Sequence, residues 1–394
     1  MRFERAYIPV GSPWFSPFAR WQGALAEISS LDLAVDVGGR ALNERSIDPS
    51  AFGSIVLGMT IPQPFSFYGA PTVAARLGAP GIGGPAIAQA CATSAACVAA
   101  AAAAVELGER RPVLVVTTDR TSNGPLLIYP EPGASGGAPR TEHWVLDNFR
   151  RDPWAGHSML ETAEFVAREE SISREEIDDV AALRHAQYAD AIEHGALAGA
   201  VVPVEFALGK RVISLRADSG IRPTSREALA ELRPAQEGGR VSFGAQTHPA
   251  DGTAGLVLCD ESTARAWGRR PGVLRVLACA FVRTEKARMP KAPVAAARLA
   301  LEEAGLALDD VEVVTTHNPF AVNDAFFARA TGYPLEKMNR YGCSLVFGHP
   351  QGPTGMRSIG ELALALEHRG GGVGLFTGCA AGDIGGAVLL RLDD

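Results

Sequence analysis

The 394-residue chain lacks any excess of positive charge: 37 Lys and Arg stand against 44 Asp and Glu, a net charge of −7. Binding of nucleic acid or of an anionic membrane by bulk charge is therefore not expected. Long apolar runs are missing too. The longest, Val98 to Val105, is mostly alanine and far short of the roughly 20 residues that cross a bilayer. The start, Met1-Arg2-Phe3-Glu4-Arg5-Ala6-Tyr7, has no apolar segment and no small-residue cleavage site, so a cytoplasmic location is expected. The six cysteines (Cys91, Cys97, Cys259, Cys279, Cys343, Cys379) form no C-x-x-C pair and no cysteine/histidine cluster at zinc spacing. They read as free thiols, some of them buried and one or two reactive. With 47% hydrophobic and 21% charged residues, disorder and fibrous repeats are excluded as the main state, and the length predicts two or three domains.

What is present is an internal repeat. Ala41-Leu42-Asn43-Glu44-Arg45-Ser46-Ile47-Asp48, followed by Ile55-Val56-Leu57, has the pattern of Ala300-Leu301-Glu302-Glu303-Ala304-Gly305-Leu306, followed by Val311-Glu312-Val313-Val314. Each reads as a helix end, an acidic turn and a strand. A second pair of strands, from Pro112 to Thr118 and from Gly372 to Gly378, repeats at nearly the same offset. Short matches of this kind also arise by chance, but a duplicated α/β half is the economical reading. Cys91 precedes a predicted helix running from Ala92 to Leu107 and closed by Gly108. An offset of 258 from Cys91 falls on His349, which precedes a helix predicted from Thr354 to Arg369 and closed by Gly370. The duplication then places the two junctions face to face across a pseudo-twofold axis. The region 119–239 reads as an insertion, with a capping box at Ser173-Arg174-Glu175-Glu176, and serves either as a lid or substrate surface or as structural decoration.

Four segments hold residues able to carry chemistry. Cys91 stands at the mouth of an alanine-rich helix (Ala99 to Ala104 are consecutive), where free amides and the helix dipole favour a thiolate. Taken alone, it equally fits an inert core cysteine. His349 lies in Gly348-His349-Pro350-Gln351-Gly352-Pro353-Thr354-Gly355, an imidazole on a glycine-rich turn with Thr354 able to cap the next helix. It is placed either to take a proton from a thiol or to hydrogen-bond to backbone. Cys379 ends a strand before the small residues Ala380-Ala381-Gly382-Asp383, whose amides fit an oxyanion hole or a plain hairpin. His317-Asn318-Pro319-Phe320 follows a strand, where open α/β sheets place ligand contacts; helix capping is the plainer role for Asn318.

In this order and at these separations the segments resemble the thiolase family over essentially the whole chain. Cys91 falls at the acylated cysteine, Gly348-His349-Pro350-x-Gly352-x-Thr354-Gly355 resembles the histidine loop, and Cys379 falls at the acid–base cysteine. Weaker matches are Arg120 to Pro125, Gly156-His157-Ser158-Met159, Gly244 to Thr247 with Asp251-Gly252, and Met289 with Pro293. The resemblance implies an α/β thiolase fold of two duplicated halves in an αβαβα core. The N-terminal half is 1–118, completed by 240–268; the inserted loop domain, which binds CoA, is 119–239; the C-terminal half is 269–394. It implies an acyl-CoA C-acyltransferase that cleaves 3-ketoacyl-CoA or condenses two acyl-CoAs, with coenzyme A as substrate and product and no metal or redox cofactor. His349 and His317 would form one oxyanion hole, and the backbone amides of Cys91 and Ala381 the other. Thr247, Ser158, Met159, Met289, Arg216 and Arg222 would contact CoA, with Lys210 and Arg211 further candidates. The partners implied are acyl-CoA and CoA, a homodimer or homotetramer, and, in some members, an accessory subunit. This chain departs from the family's Asn-Glu-x-Phe with His317-Asn318-Pro319-Phe320, which resembles the His-Asp-x-Phe of sterol-carrier-protein-type thiolases, and from Cys-x-Gly-x-Gly with Ala381 and Asp383. Asp383 is expected to orient a group or narrow the pocket. A ketoacyl-synthase-like condensing enzyme and a noncatalytic thiolase-like subunit are the alternatives; Cys379 argues against the first, and the Cys91–His349–Cys379 set against the second.

Overall fold

The computed structural model describes residues 1–393. Strands β1 (Tyr7–Ile8), β2 (Trp14–Phe15) and β3 (Ala19–Arg20) lead to helix α1 (Ser30–Glu44), β4 (Ser54–Gly58), α2 (Gly69–Arg76), β5 (Ala86–Ile87), α3 (Thr93–Glu106) and β6 (Val113–Arg120). A middle region carries β7 (Leu126–Tyr129), β8 (Arg140–His143), α4 (Leu146–Arg150), α5 (Met159–Glu169), α6 (Arg174–Glu193), β9 (Val204–Leu208), β10 (Arg211–Leu215) and α7 (Arg226–Ala230). Then come β11 (Ala250–Leu258), α8 (Glu261–Trp267), β12 (Val273–Arg283), α9 (Ala292–Ala304) and β13 (Val313–His317). The chain closes with α10 (Ala321–Thr331), α11 (Ser344–Phe347), α12 (Gly352–Arg369), β14 (Gly372–Ala380) and β15 (Ile384–Asp393).

Two sheets repeat one motif. In the first, ordered β2-β11-β6-β4-β5, strands β4 and β6 are parallel and β11 runs antiparallel to β6. In the second, ordered β1-β12-β15-β14-β13, strands β13 and β14 are parallel and β15 runs antiparallel to β14. Helices α3 and α12, each linking the two parallel strands of its half, lie between the sheets and touch both sheets and each other. Helices α1 and α2 cover the outer face of the first sheet, and α9 that of the second, which completes the αβαβα order. Their composition explains the placement. Helix α3 is apolar around its whole circumference, as a helix sandwiched between layers must be, and Gly352 to Leu366 of α12 are all buried. At Gly355 a side chain would meet Ser94 Cβ at 3.0 Å, so the absence of one lets the central helices approach closely. β6 reads as a near-continuous apolar run because both of its faces are covered.

Three boundaries differ from the sequence reading. The first ten residues bridge the two halves: β1 pairs with β12 of the second sheet, Tyr7 opposite Arg275, covering an edge that would otherwise be open, while Tyr7 also exchanges backbone hydrogen bonds with Cys259 after β11 of the first. β6 runs past 118 to Arg120, paired with Asp251. Helix α12 starts at Gly352 rather than Thr354, with Pro353 in its first turn.

The middle region is packed onto both halves. α6 lies against α10 and α11, α5 against α10, and β9 against α1. Its apolar residues Ala163, Val166 and Ile177 share one cluster with Met289, Phe320 and Cys379. Two buried arginines tie it down. Arg357 of α12 donates through both terminal nitrogens to Asp218, at 2.7 and 2.9 Å, with its guanidinium 3.6 Å from the Phe347 ring centroid. Arg184 of α6 donates through Nε to Asp324 Oδ2 at 2.8 Å, and both side chains are essentially inaccessible. Among the described residues no helix is long and apolar enough to cross a membrane.

Arg184→Met removes one partner of that buried pair while keeping much of its volume, and leaves the Asp324 carboxylate without its counter-charge. The expected loss of stability is about 3–5 kcal/mol, measured as a shift of the urea unfolding curve; a loss under about 1 kcal/mol, the range of an exposed pair, would show that the pair does not anchor α6.

Candidate active site

Cys91 sits in the short connection between β5 and α3, half-buried at the mouth of the cleft. The turn that presents it is strained: Ala90 has φ 45°, a left-handed conformation that a residue with a Cβ rarely adopts. Thr93 holds it there, its hydroxyl accepting from Gln89 N at 2.8 Å and donating to Ala90 O at 2.7 Å. His349 reaches the sulfur from the other half, with Nε2 3.0 Å from Cys91 Sγ. Its backbone is clamped, His349 N donating to His248 O at 2.8 Å and His349 O accepting from Ala250 N at 3.4 Å. Nδ1 lies 2.6 Å from Thr354 Oγ1. Thr354 is thus not the helix cap expected from sequence; it is partner to the imidazole, and the capping position is Gln351, at φ 25°. With the Nδ1 hydrogen directed at Thr354, Nε2 presents a lone pair to the thiol.

Beneath this couple lies Asp119, fully buried at the end of β6. Its carboxylate accepts from Gly352 N, from the amide and hydroxyl of Thr60, and from Ile61 N, all at 2.8–3.0 Å. It pins the start of α12 and the 60–61 turn to one point. Burial pushes its pKa up to about 7, against those four hydrogen bonds.

Cys379 and His317 complete the cluster. Burial and the nearby Cys91 push the Cys379 thiol well above the usual range, while its sulfur accepts from Asn323 Nδ2 at 3.2 Å. The His317 ring stacks on that of His349 with centroids 4.2 Å apart, and its Nδ1 lies 3.1 Å from Ser344 Oγ. Burial alone lowers His317 to about 3 and is the main cause that lowers His349, so both imidazoles rest neutral. Burial also pushes the Cys91 thiol up to about 12, partly opposed by the amides of Ala381 and Cys91. The thiolate expected at the helix mouth is therefore not the resting state: the cost of desolvating the charge, with the Asp119 carboxylate nearby, outweighs the two amides.

The other expected residues make the following contacts. Asp383, at φ 57°, turns from the cleft and accepts from Ala287 N at 2.8 Å, bracing the segment before Met289. Asn318 caps no helix: the capping position of α10 is Phe320, and Asn318 Nδ2 donates to Asp324 Oδ2 at 2.7 Å. Ser158 caps α5 in a reciprocal box with Glu161, and Met159 opens that helix half-buried. Thr247 donates its hydroxyl to Ser344 O, and Met289 is buried in the cluster that contains Cys379. Arg216 is committed to Glu205 on the β9–β10 hairpin that packs on α1, and Arg222 is exposed on a loop. The basic side chains that line an open pocket beside α5 are instead Lys286 and Arg288, with His157 and Phe165.

Sequence reading did not identify Thr93, Asp119, Asn323 or Ser344 as parts of the site. Only Asp119 leaves a trace in the sequence, as an acid ending an apolar strand.

A duplicated αβαβα core with a cysteine–imidazole couple at the facing helix mouths is the architecture of the condensing acyl-transfer enzymes. Residues 13–262 match the model of the thiolase N-terminal domain, and residues 272–392 that of the thiolase C-terminal domain. The chain belongs to the thiolase family. It is 30% identical to an acetyl-CoA acetyltransferase of Escherichia coli K12, over 94% of this chain and 95% of the relative. It is 31% identical to a 3-ketoacyl-CoA thiolase of Cronobacter sakazakii, over 98% and 97%. The crystal structure of the Bacillus anthracis acetyl-CoA acetyltransferase superposes with a TM-score of 0.90 at 26% identity, with all of both chains covered.

A neutral thiol–imidazole couple has a pH signature. Below its pKa the thiolate fraction of Cys91 rises about tenfold per pH unit, so iodoacetamide alkylation of the free enzyme, followed by peptide mass, should climb steadily from pH 7 into the alkaline range. A rate already level above pH 7 would mean a resting thiolate–imidazolium pair and contradict the neutral assignment.

Proposed function

We propose that this thiolase-type acyl-CoA C-acyltransferase works through an acyl-cysteine at Cys91. The observation that carries the reading is the 3.0 Å contact of His349 Nε2 with Cys91 Sγ, beside a second buried thiol at Cys379. His349 takes the Cys91 proton at Nε2 as the sulfur attacks the thioester carbonyl, and returns it to the departing CoA sulfur. The amides of Cys91 and Ala381, which already face the sulfur, receive the negative oxygen of the tetrahedral intermediate.

In the condensing direction Cys379 first gives its thiol proton to solvent; a second acyl-CoA then loses an α-proton to the Cys379 thiolate, the carbanion attacks the acyl group on Cys91, and the departing Cys91 sulfur takes that proton from Cys379. A carbon–carbon bond forms as the Cys91 carbon–sulfur bond breaks; cleavage is the same sequence reversed. Asn323 readies Cys379 for this charge, since its carboxamide goes on donating to the sulfur once that sulfur is a thiolate. His349 and His317 stabilise the enolate oxygen once each presents an N–H at Nε2; for His317, this requires the Ser344 hydroxyl to donate to Nδ1. These steps need no metal or redox cofactor, and CoA is substrate and product.

The proposal extends to a homodimer or homotetramer, supported by the exposed aromatic group Phe65, Phe67 and Tyr68. It also includes residence in the cytoplasm, supported by six unpaired cysteines.

Acetyl-CoA should leave an acetyl mass on Cys91, and none in Cys91→Ala. Cys379→Ala should still acylate but exchange carbon–carbon bonds about 10²–10⁴-fold more slowly, the usual weight of a proton-transfer group. Intact mass and turnover of 3-ketoacyl-CoAs check both; an acyl group on another residue, or undiminished turnover without Cys379, would overturn the assigned roles.

A further inference from the structure

One property of the site is left unused by acyl transfer: it holds the makings of a metal centre. One donor atom each from Cys91, His317 and His349 lies within 4.8 Å of the others. A tetrahedral Zn²⁺ with bonds of about 2.0–2.1 Å to nitrogen and 2.3 Å to sulfur needs its donors about 3.3–3.6 Å apart, within reach of small side-chain rotations. His317 is fully buried, and its Nε2 has no hydrogen-bond partner. An orphaned imidazole nitrogen beside a thiol and a second imidazole is an unmet demand for a ligand.

The hydrogen bonds on the far side of both rings suit a metal. Ser344 Oγ donates to Asn318 O at 3.4 Å, which leaves the hydroxyl to accept from His317 Nδ1–H and leaves Nε2 with its lone pair free. Thr354 stands in the same relation to His349 Nδ1. Each ring is thus oriented by a hydroxyl on Nδ1 and has its metal-binding tautomer available at Nε2, the usual outer-shell arrangement of a zinc histidine. The three residues are far apart in the chain, so no zinc spacing shows in the sequence.

We propose that Cys91, His317 and His349 form a Zn²⁺ site whose occupancy excludes acylation. On binding, the Cys91 S–H bond breaks, a proton is released to solvent, the thiolate and the two Nε2 atoms bond to the ion, and water fills the fourth position. The ion then holds the nucleophile, its base and the second imidazole at once. It inhibits and takes no part in turnover. The exclusion rests on the acyl-transfer reading above; the metal site itself rests only on the three side chains.

The test titrates the reduced, chelator-treated full chain with Co²⁺. One equivalent should give the strong ligand-field absorption of tetrahedral cobalt together with a thiolate-to-cobalt charge-transfer band, both displaced by Zn²⁺ and both lost in Cys91→Ser. Zn²⁺ should also slow Cys91 alkylation, and in His317→Asn that protection, taken relative to the variant's own metal-free rate, should weaken at least about tenfold. Absence of the charge-transfer band in the wild type, its persistence in Cys91→Ser, or undiminished protection in His317→Asn would overturn the site. If His317→Asn fails to fold, acetyl-CoA competition decides on the wild type: the cobalt bands should fade as the acetyl mass appears, and bands that persist on the acetylated protein would overturn the proposal. Cobalt bands on a protein that never acylates would support the metal site and count against the acyl-transfer reading, whereas acylation without the bands would do the reverse.

Discussion

Everything in this molecule converges on one hydrogen bond, from the Cys91 thiol to the imidazole of His349 at 3.0 Å. Its two ends belong to equivalent junctions of duplicated halves, 258 positions apart, and so does the contact of Ser94 Oγ with Gly352 O, of the same separation. Neither half could build the couple alone. It exists because α3 and α12 pack side by side between the sheets, and they can do so because Ser94 and Gly355 keep that contact thin. The architecture is thus a device for bringing two loop residues into register, with the strain at Ala90 and Gln351 taken up by Thr93, Thr60 and the carboxylate of Asp119.

Burial gives the couple its chemical character. Desolvation raises the thiols of Cys91 and Cys379 and lowers both imidazoles, so the resting cluster is uncharged. An uncharged cluster costs little to bury between apolar layers, whereas a resting ion pair would have to offset several kcal/mol of desolvation per ion. The donors that would stabilise charge are nonetheless in place: the amides of Ala381 and Cys91, and the carboxamide of Asn323. They are preorganised for charge that arises only when a thioester carbonyl is present, which is where such donors act most strongly.

How much of this the sequence disclosed follows from chain geometry. Cys91, His349 and Cys379 were legible because each sits at a strand–loop–helix or strand–turn junction with a distinctive small-residue frame, and because duplication relates the first two by a fixed offset. The offset alone showed a duplicated α/β half; the αβαβα order came with the family resemblance. The supporting residues were not legible. Thr93, Asn323, Ser344 and Asp119 act through side-chain atoms whose partners are set by tertiary closure, and a hydroxyl or carboxamide in an otherwise ordinary helix or strand carries no periodic signal. Asp383, expected either to orient a group or to narrow the pocket, orients the segment at Ala287, a partner that only tertiary closure brings to it. The ion pair of Arg216 with Glu205 joins a side chain to the neighbouring strand of its hairpin, a partner that only the hairpin register supplies. Pairing of β1 with the second sheet depends on an open edge that no local pattern announces.

The position of His317 joins these threads. An imidazole here puts a second titratable ring in stacked contact with His349, at a depth where burial holds it neutral. A neutral imidazole can show either a hydrogen or a lone pair at Nε2, and here the choice falls to one hydroxyl, Ser344, which either donates to Nδ1 or accepts from it. With Ser344 donating, Nε2–H is available to the enolate oxygen of the proposed carbon–carbon chemistry. With Ser344 turned to Asn318 O, Nε2 offers a lone pair toward the thiol and serves a cation. Rotation of one hydroxyl, coupled to exchange of the ring proton between Nδ1 and Nε2 through solvent or substrate, therefore separates two incompatible uses of the same three side chains, a choice that an asparagine carboxamide, lacking exchangeable tautomers, would not impose.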